Sequence, residues 1–154
     1  MMLPTLPDNR FFEPRQKFFK RMETFKDDIV VDVGAGCGHV AAELEGKGFK
    51  VIAIDIYPRE NTVYPVYMLD AETFNYPAGC VALIARPCHG YFVERAIQRA
   101  LETAKCVLYV GKKRNVPVDI EGLPYKMETI GTGVGEEDEV MIMVSAGGND
   151  ARDE

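Results

Sequence analysis

The stretch from Val30 to Val40, VVDVGAGCGHV, limits what this chain can become more than any other. Val30, Val31 and Val33 belong to a buried strand, and Gly34, Gly36 and Gly38 stand on alternate positions after it. Glycine weakens regular structure, so this density at a strand end marks a backbone that turns sharply while something large comes close. Val40, Ala41 and Leu44 then give a short helical face, closed by Gly46 and Gly48. Strand, turn and helix follow one another with no spacer.

The rest of the chain repeats the theme. Lys50–Asp55 (KVIAID), Val66–Leu69 (VYML), Val81–Ala85 (VALIA) and Cys106–Val110 (CVLYV) are largely apolar runs, as strands covered on both faces should be. Phe18, Phe19, Met22 and Phe25 recur at helical spacing after Pro14, which suits a first helical turn. Val93, Ile97, Ala100, Leu101 and Ala104 mark one face of an amphipathic helix. YKMETI and EVMIMVSA, joined by GTGVGEED, read as a closing antiparallel hairpin. The pattern predicts an α/β fold: a doubly wound, mainly parallel sheet with a C-terminal antiparallel hairpin and a reduced number of helices. The links from Ile56 to Pro65 and from Ala71 to Cys80 are too short and proline-marked for full crossover helices, and another helix is missing after the fifth strand. Thin cover over the sheet predicts exposed apolar surface and a homodimer or partner protein. Residues 1–13 read as an irregular arm, 14–147 as one domain and 148–154 as an acidic disordered tail.

With 154 residues, 47% hydrophobic and 27% charged, the chain has the make-up of an ordinary globule able to bury a core. No apolar run spans a bilayer and no secretory signal pattern opens the sequence, so no membrane partner and a cytoplasmic location are expected. Cys37, Cys80, Cys88 and Cys106 form no Cys-x-x-Cys pair, and two histidines give a zinc site little to work with. A net charge of −6 argues against non-specific coating of nucleic acid. The charge is uneven, though: Arg10, Arg15, Lys17, Lys20, Arg21 and Lys26 make the first segment basic, and Lys112, Lys113 and Arg114 form a second cluster.

In sheets of this class ligands bind beyond the carboxyl ends of the strands, so chemistry should follow strands. The loop Asp32-Val33-Gly34-Ala35-Gly36-Cys37-Gly38 follows the first. A dinucleotide site spaces its glycines Gly-x-Gly-x-x-Gly to receive a pyrophosphate; here the third glycine comes one residue early, and an acid stands two before the first. A carboxylate suits a cationic ligand better than a pyrophosphate. Asp55 in AIDI ends the second strand, and Asp70 in LDAETF follows the third, with Ala71 and Phe74 beside it. DVGAGCG, AIDI and LDAETF together resemble the first three motifs of the class I S-adenosylmethionine-dependent methyltransferases, over about Ile29 to Val110. The resemblance implies a Rossmann-like fold and S-adenosylmethionine as cofactor. It implies cofactor contacts from Asp32, Gly34, Ala35, Gly36, Gly38, Asp55, Ile56, Asp70 and Ala71, with the methionine end against the glycine turn and Asp55 on the ribose hydroxyls. His39, just after the loop, reads as a loop contact or a surface residue.

In that family the acceptor residues follow the fourth strand, here ARPCHGYF. Arg86 takes the place where amino-methylating enzymes carry Asn or Asp, and a guanidinium accepts no hydrogen bond, so methylation of a base amino group is disfavoured. Pro87-Cys88 matches the Pro-Cys of the cytosine carbon-5 methylases, but GKKRN after the fifth strand lacks their glutamate and the chain has no room for their recognition domain. Cys88 is thus a packing residue, a pocket contact or a nucleophile, and His89 the candidate base for an acceptor that must lose a proton. Arg86, Lys112, Lys113 and Arg114 should share the cofactor's edge of the sheet, which favours an anionic small-molecule or nucleotide acceptor. A protein that binds the cofactor without catalysis, as a sensor or a subunit, and a dinucleotide-binding module are the other readings.

Overall fold

In the computed structural model, residues 12–57, 59–87, 91–112, 125–135 and 138–146 are described. Their elements run α1 (Gln16–Met22), a 3₁₀ turn (Glu23–Phe25), β1 (Ile29–Val33), α2 (His39–Gly46), β2 (Lys50–Asp55), β3 (Val66–Met68), β4 (Val81–Ala85), α3 (Tyr91–Ala100), β5 (Cys106–Gly111), β6 (Lys126–Thr132) and β7 (Val140–Ser145). They build one seven-stranded sheet in the order β3-β2-β1-β4-β5-β7-β6. β1 to β5 are parallel, β7 lies antiparallel between β5 and β6, and the register of β6 slips between Thr129 and Gly131. This is the mainly parallel sheet with a closing hairpin that the apolar runs predict. The chain winds outward from β1 in both directions, so the strand order reverses between β1 and β4.

Alternation along the strands sends side chains to two cores. Val31, Val33, Ala82, Ile84, Val107 and Tyr109 pack on Val93, Ala96, Ile97 and Ala100 of α3. On the opposite face Val30, Leu83, Leu108 and Val110 meet Phe18 and Met22 of α1, Phe25 and Leu44 of α2. Pro14 is not in the first helical turn. The Arg15 N–H donates to the Val134 carbonyl at 3.0 Å, and Arg15 is held extended (φ −114°, ψ 177°), so α1 starts only at Gln16.

No helix forms in the described parts of the β2–β3 and β3–β4 links, and single side chains fill the gap. Tyr64 donates its hydroxyl to the Val51 carbonyl (3.1 Å), while its Cβ lies 2.8 Å from where a Cβ on Gly38 would stand. Only glycine therefore fits at residue 38, whose φ of +88° disfavours any side chain besides. In the second link, the Phe74 and Tyr76 rings meet edge-to-face at 4.9 Å inside the core, and the Tyr76 hydroxyl donates to the Ala71 carbonyl at 2.9 Å. Arg99 of α3 then donates to the Phe74 carbonyl (2.9 Å), the Thr73 carbonyl (3.2 Å) and Asn75 Oδ1 (2.8 Å). The cover is thinnest at the β3 edge, where Tyr67, Met68 and Leu69 are exposed. Among the described residues no helix is long and apolar enough to cross a membrane.

Because one guanidinium holds three acceptors of this link, Arg99→Ala should cost about 1–2 kcal/mol and lower the melting temperature by roughly 2–8 °C. Arg99→Lys should recover only part, since an ammonium lacks the planar fork. An unchanged melting curve for Arg99→Ala would remove the clamp from this account.

Candidate functional site

The carboxyl ends of β1, β2 and β4, with the loop after β3, surround a cavity of about 310 Å³ at the strand-order reversal. Its glycine wall is Gly34, Ala35 and Gly36. Gly34 and Gly36 have φ of +72° and +61°, and the Gly34 and Ala35 N–H groups both donate to the Ile54 carbonyl, which turns the loop across the end of β2.

Asp32 lies at the base of this wall, on the same strand face as Val30. It is 3% exposed, lines the cavity, and its Oδ2 has no hydrogen-bond partner among the described residues. Burial, and secondarily the negative charge of Asp55, push its pKa up to about 7. A buried acid left this way lacks a cation.

Asp55 is set differently. The Gly36 N–H donates to its Oδ2 and the Tyr57 N–H to its Oδ1, each at 2.8 Å, so two backbone donors fix the carboxylate at the end of β2. Each oxygen keeps a lone pair for a further donor. Asp70 accepts the Glu72 N–H on Oδ1 (2.8 Å), and its carbonyl accepts the Thr73 and Phe74 N–H groups. This turn presents Asp70 and Ala71 to the cavity. Ile56 lines the rim, as does His39. Gly38 is not on the cavity wall; it starts α2 and leaves room for Tyr64.

At the β4 end the lining is Ala85, Arg86 and Pro87, with Phe12 and Phe92 beside them. Arg86 Nη1 lies 3.0 Å from Glu139 Oε2, and both side chains are buried. The separation is that of a close pair, but the geometry falls short of a directed hydrogen bond, so charge holds it. Glu139 also packs against Gly135, where a Cβ would collide with it. Tyr109 below has its pKa pushed up to about 12, mainly by burial, with Arg86 opposing and Glu139 adding to the shift. The expectation of four cations facing one cleft therefore changes: Arg86 reaches the cavity, but its charge is balanced by Glu139, the residue before β7. Lys112 follows β5 and is half-buried, away from the cavity lining. Cys88, His89, Lys113 and Arg114 lie outside the described residues.

Several lining residues were not anticipated. Phe92 and Arg95 come from the first turns of α3, which the rule that chemistry follows strands would have pointed to, since α3 follows β4. Arg95 pairs with Glu72 at 2.8 Å, across the rim from Asp70. Phe12 has no local sequence signal; it lies in a segment that the Arg15 N–H ties to Val134, and its ring packs edge-on to Phe18 at 5.0 Å.

No protein-family model and no curated protein sequence matches this chain. Solved structures do. The 23S rRNA methyltransferase ErmE superposes with a TM-score of 0.61 at 17% identity, over 88% of this chain and 69% of that one. The fold is that of the class I methyltransferases. A SAM-dependent methyltransferase from Bacteroides fragilis, in complex with S-adenosyl-L-homocysteine, gives 0.57 at 16% identity, over 81% and 76%. The bifunctional kinase-methyltransferase WbdD gives 0.56 at 17%, over 84% of this chain but only 37% of its own length.

The Asp32 carboxyl sets a pH test. Only its ionised form pairs with a cation, so the affinity of a ligand carrying an ammonium group should rise from pH 5 to about pH 7, by up to roughly 50-fold. Asp32→Asn should abolish the rise. The folded pKa is raised, so by itself this group stabilises the ligand-free fold fully below about pH 4, and that contribution fades as pH passes 7. Calorimetric affinities that do not vary with pH would mean that Asp32 meets no cation.

Proposed function

We propose that this chain is an S-adenosylmethionine-dependent methyltransferase acting on a phosphate-bearing nucleotide acceptor. The observation that carries the cofactor is Asp32: a buried carboxylate oxygen without a hydrogen-bond partner among the described residues, at the foot of a glycine wall, fits a ligand that is cationic and bulky at one end. A pyrophosphate there would meet an acid with no hydrogen-bond partner on Oδ2 among the described residues, which counts against the dinucleotide reading. Asp32 would balance the positive methionine end, Asp55 would accept the ribose hydroxyls, and Asp70 with Ala71 would flank the base. Gly34, Ala35 and Gly36 supply the space. When bound, S-adenosylmethionine supplies a methyl group on a positively charged sulfur, which departs as a neutral thioether.

The chain's own task is to hold an acceptor in line and keep water away. Phe12, Ala85, Pro87 and Phe92 give the β4 end an apolar wall suited to a flat ring, and the Arg86–Glu139 pair anchors that wall without presenting a net charge. His89, two residues after Pro87, is proposed as the base where the acceptor has a proton to lose, and Cys88 as a pocket contact. Lys112, Lys113 and Arg114 are proposed to meet the acceptor's phosphate. The nucleotide class is supported by the 23S rRNA methyltransferase among the similar structures, at the level of fold alone.

Titration with S-adenosylmethionine, S-adenosylhomocysteine and NAD side by side tests the cofactor. The first two should bind in the micromolar range and NAD should not. Asp55→Ala should weaken both by about 1–3 kcal/mol, the cost of leaving hydroxyls unpaired. NAD binding alone, or full affinity in Asp55→Ala, would overturn the assignment. Methyl transfer to a nucleotide pool distinguishes an enzyme from a sensor. The exposed Tyr67 and Met68 on the open edge of β3 are the surface proposed for a homodimer. Sedimentation should show a dimer that Met68→Lys dissociates; a monomer at every concentration would rule it out.

A further inference from the structure

The acceptor reading above leaves one charged feature unused, the basic face of α1. Between Arg15 and Arg21 the chain carries Arg15, Lys17, Lys20 and Arg21 and no carboxylate. All four are exposed, and Lys17, Lys20 and Arg21 pair with no acid among the described residues. Farther along, Glu23 is engaged with Lys26 at 3.6 Å. The apolar residues of this helix, Phe18 and Met22, are fully buried against the sheet, so the cations are pointed outward by the packing itself.

Position matters as much as charge. Lys17 Nζ stands 3.2 Å from where a Cβ on Gly133 would lie, and Arg21 Nε 3.7 Å from the equivalent point on Gly131, so the ridge runs along the end of β6. The Arg15 N–H bond to Val134 joins the top of the ridge to that same turn. Three residues before Arg15, Phe12 forms part of the cavity wall and is 5% exposed. A line of positive charge therefore ends three residues from Phe12 of the cavity wall. Phosphates at intervals along a chain match the ridge, and an unstacked base matches the apolar wall of Phe12, Ala85, Pro87 and Phe92.

We infer that the α1 ridge docks the phosphate backbone of a polynucleotide and that Phe12 marks where one of its bases enters the cavity. This rests on the proposed methyltransferase reading and narrows its acceptor from a nucleotide to a nucleotide within a chain. In a protein of net charge −6 the contact is local. Three unpaired cations predict a salt dependence of about −2 in log affinity against log salt for a single strand, far from the steep slope of a protein that coats nucleic acid.

The test is fluorescence anisotropy with a labelled single-stranded RNA of about twelve nucleotides, and DNA of the same sequence, across a salt series. The wild-type protein should bind with the shallow slope stated, and the variant K17E/K20E/R21E should bind at least about tenfold more weakly at low salt. RNA and DNA binding alike would assign recognition to phosphate; RNA alone would add the 2′-hydroxyl. Equal binding by wild type and variant, or none by either, overturns the inference. S-adenosylmethionine titration and the melting curve of the same samples keep the two readings apart. Cofactor binding with no oligonucleotide binding sinks only the ridge. Loss of cofactor binding in the wild type sinks the site reading, while the oligonucleotide result still decides the ridge. The milder K17Q/K20Q/R21Q, expected to show a smaller loss in the same direction, covers the case in which charge reversal unfolds α1.

Discussion

Asp32 places a carboxyl group inside the sheet, one residue before the end of β1, with an oxygen shut off from solvent and without a hydrogen-bond partner among the described residues. Much of the site follows from that. A buried acid is tolerated only if it is neutral or if a cation comes to it, and a pKa of about 7 puts Asp32 between those states. Asp55 sharpens the constraint by adding a second negative group at the next strand end. Its charge is spread over two backbone N–H donors, whereas Asp32 Oδ2 has no such help. A cationic ligand in the cavity would relieve both the desolvation and the repulsion. The glycines then have a physical purpose: without β-carbons at 34 and 36, the space above Asp32 stays open to such a ligand.

The same economy shapes the rest of the fold. Where larger α/β domains lay a crossover helix on the sheet, this chain uses a tyrosine at 64, the Phe74–Tyr76 pair and the three-way grip of Arg99. A helix would bring its own backbone hydrogen bonds; these links depend on side chains to satisfy their carbonyls. The second link borders the cavity through Asp70, Ala71 and Glu72, so the cofactor's proposed resting place is bounded by a turn that side chains hold in place.

Much of this is readable in the sequence. The central strands β1, β4 and β5 are legible because parallel strands buried on both faces must be continuous apolar runs, and the bounds of the five parallel strands agree with the structure to within a residue, whereas β6 runs two residues past YKMETI. Asp32, Asp55 and Asp70 are legible because each stands at or just past the carboxyl end of a strand, and the topology brings those ends together. The failures are tertiary. Nothing local tells Pro14 that Val134 will hold Arg15 extended, or tells Phe12 that the same bond will bring it to the cavity. Arg86 shows the limit best: its place after β4 is readable, but its counter-charge comes from Glu139, which is brought near only when β7 inserts between β5 and β6. Gly38 looks like a ligand glycine in the motif and is a packing glycine in the fold.

That buried pair also bears on how an acceptor could be chosen. Breaking it would leave a desolvated charge, a cost of roughly 3–5 kcal/mol, so Arg86 is poorly placed to give up Glu139 for a phosphate. For the proposed anionic acceptor, the charge would then be met by cations outside the cavity, while Phe12, Ala85, Pro87 and Phe92 offer apolar contact. Beyond a Debye length of about 8 Å an acceptor feels the chain's net negative charge only weakly, and close to the surface it feels whichever patch it faces. On the proposed reading, a polyanion arriving along α1 meets Lys17, Lys20 and Arg21. Attraction and fit are then divided between two places, a cationic ridge outside the cavity and an apolar wall within it.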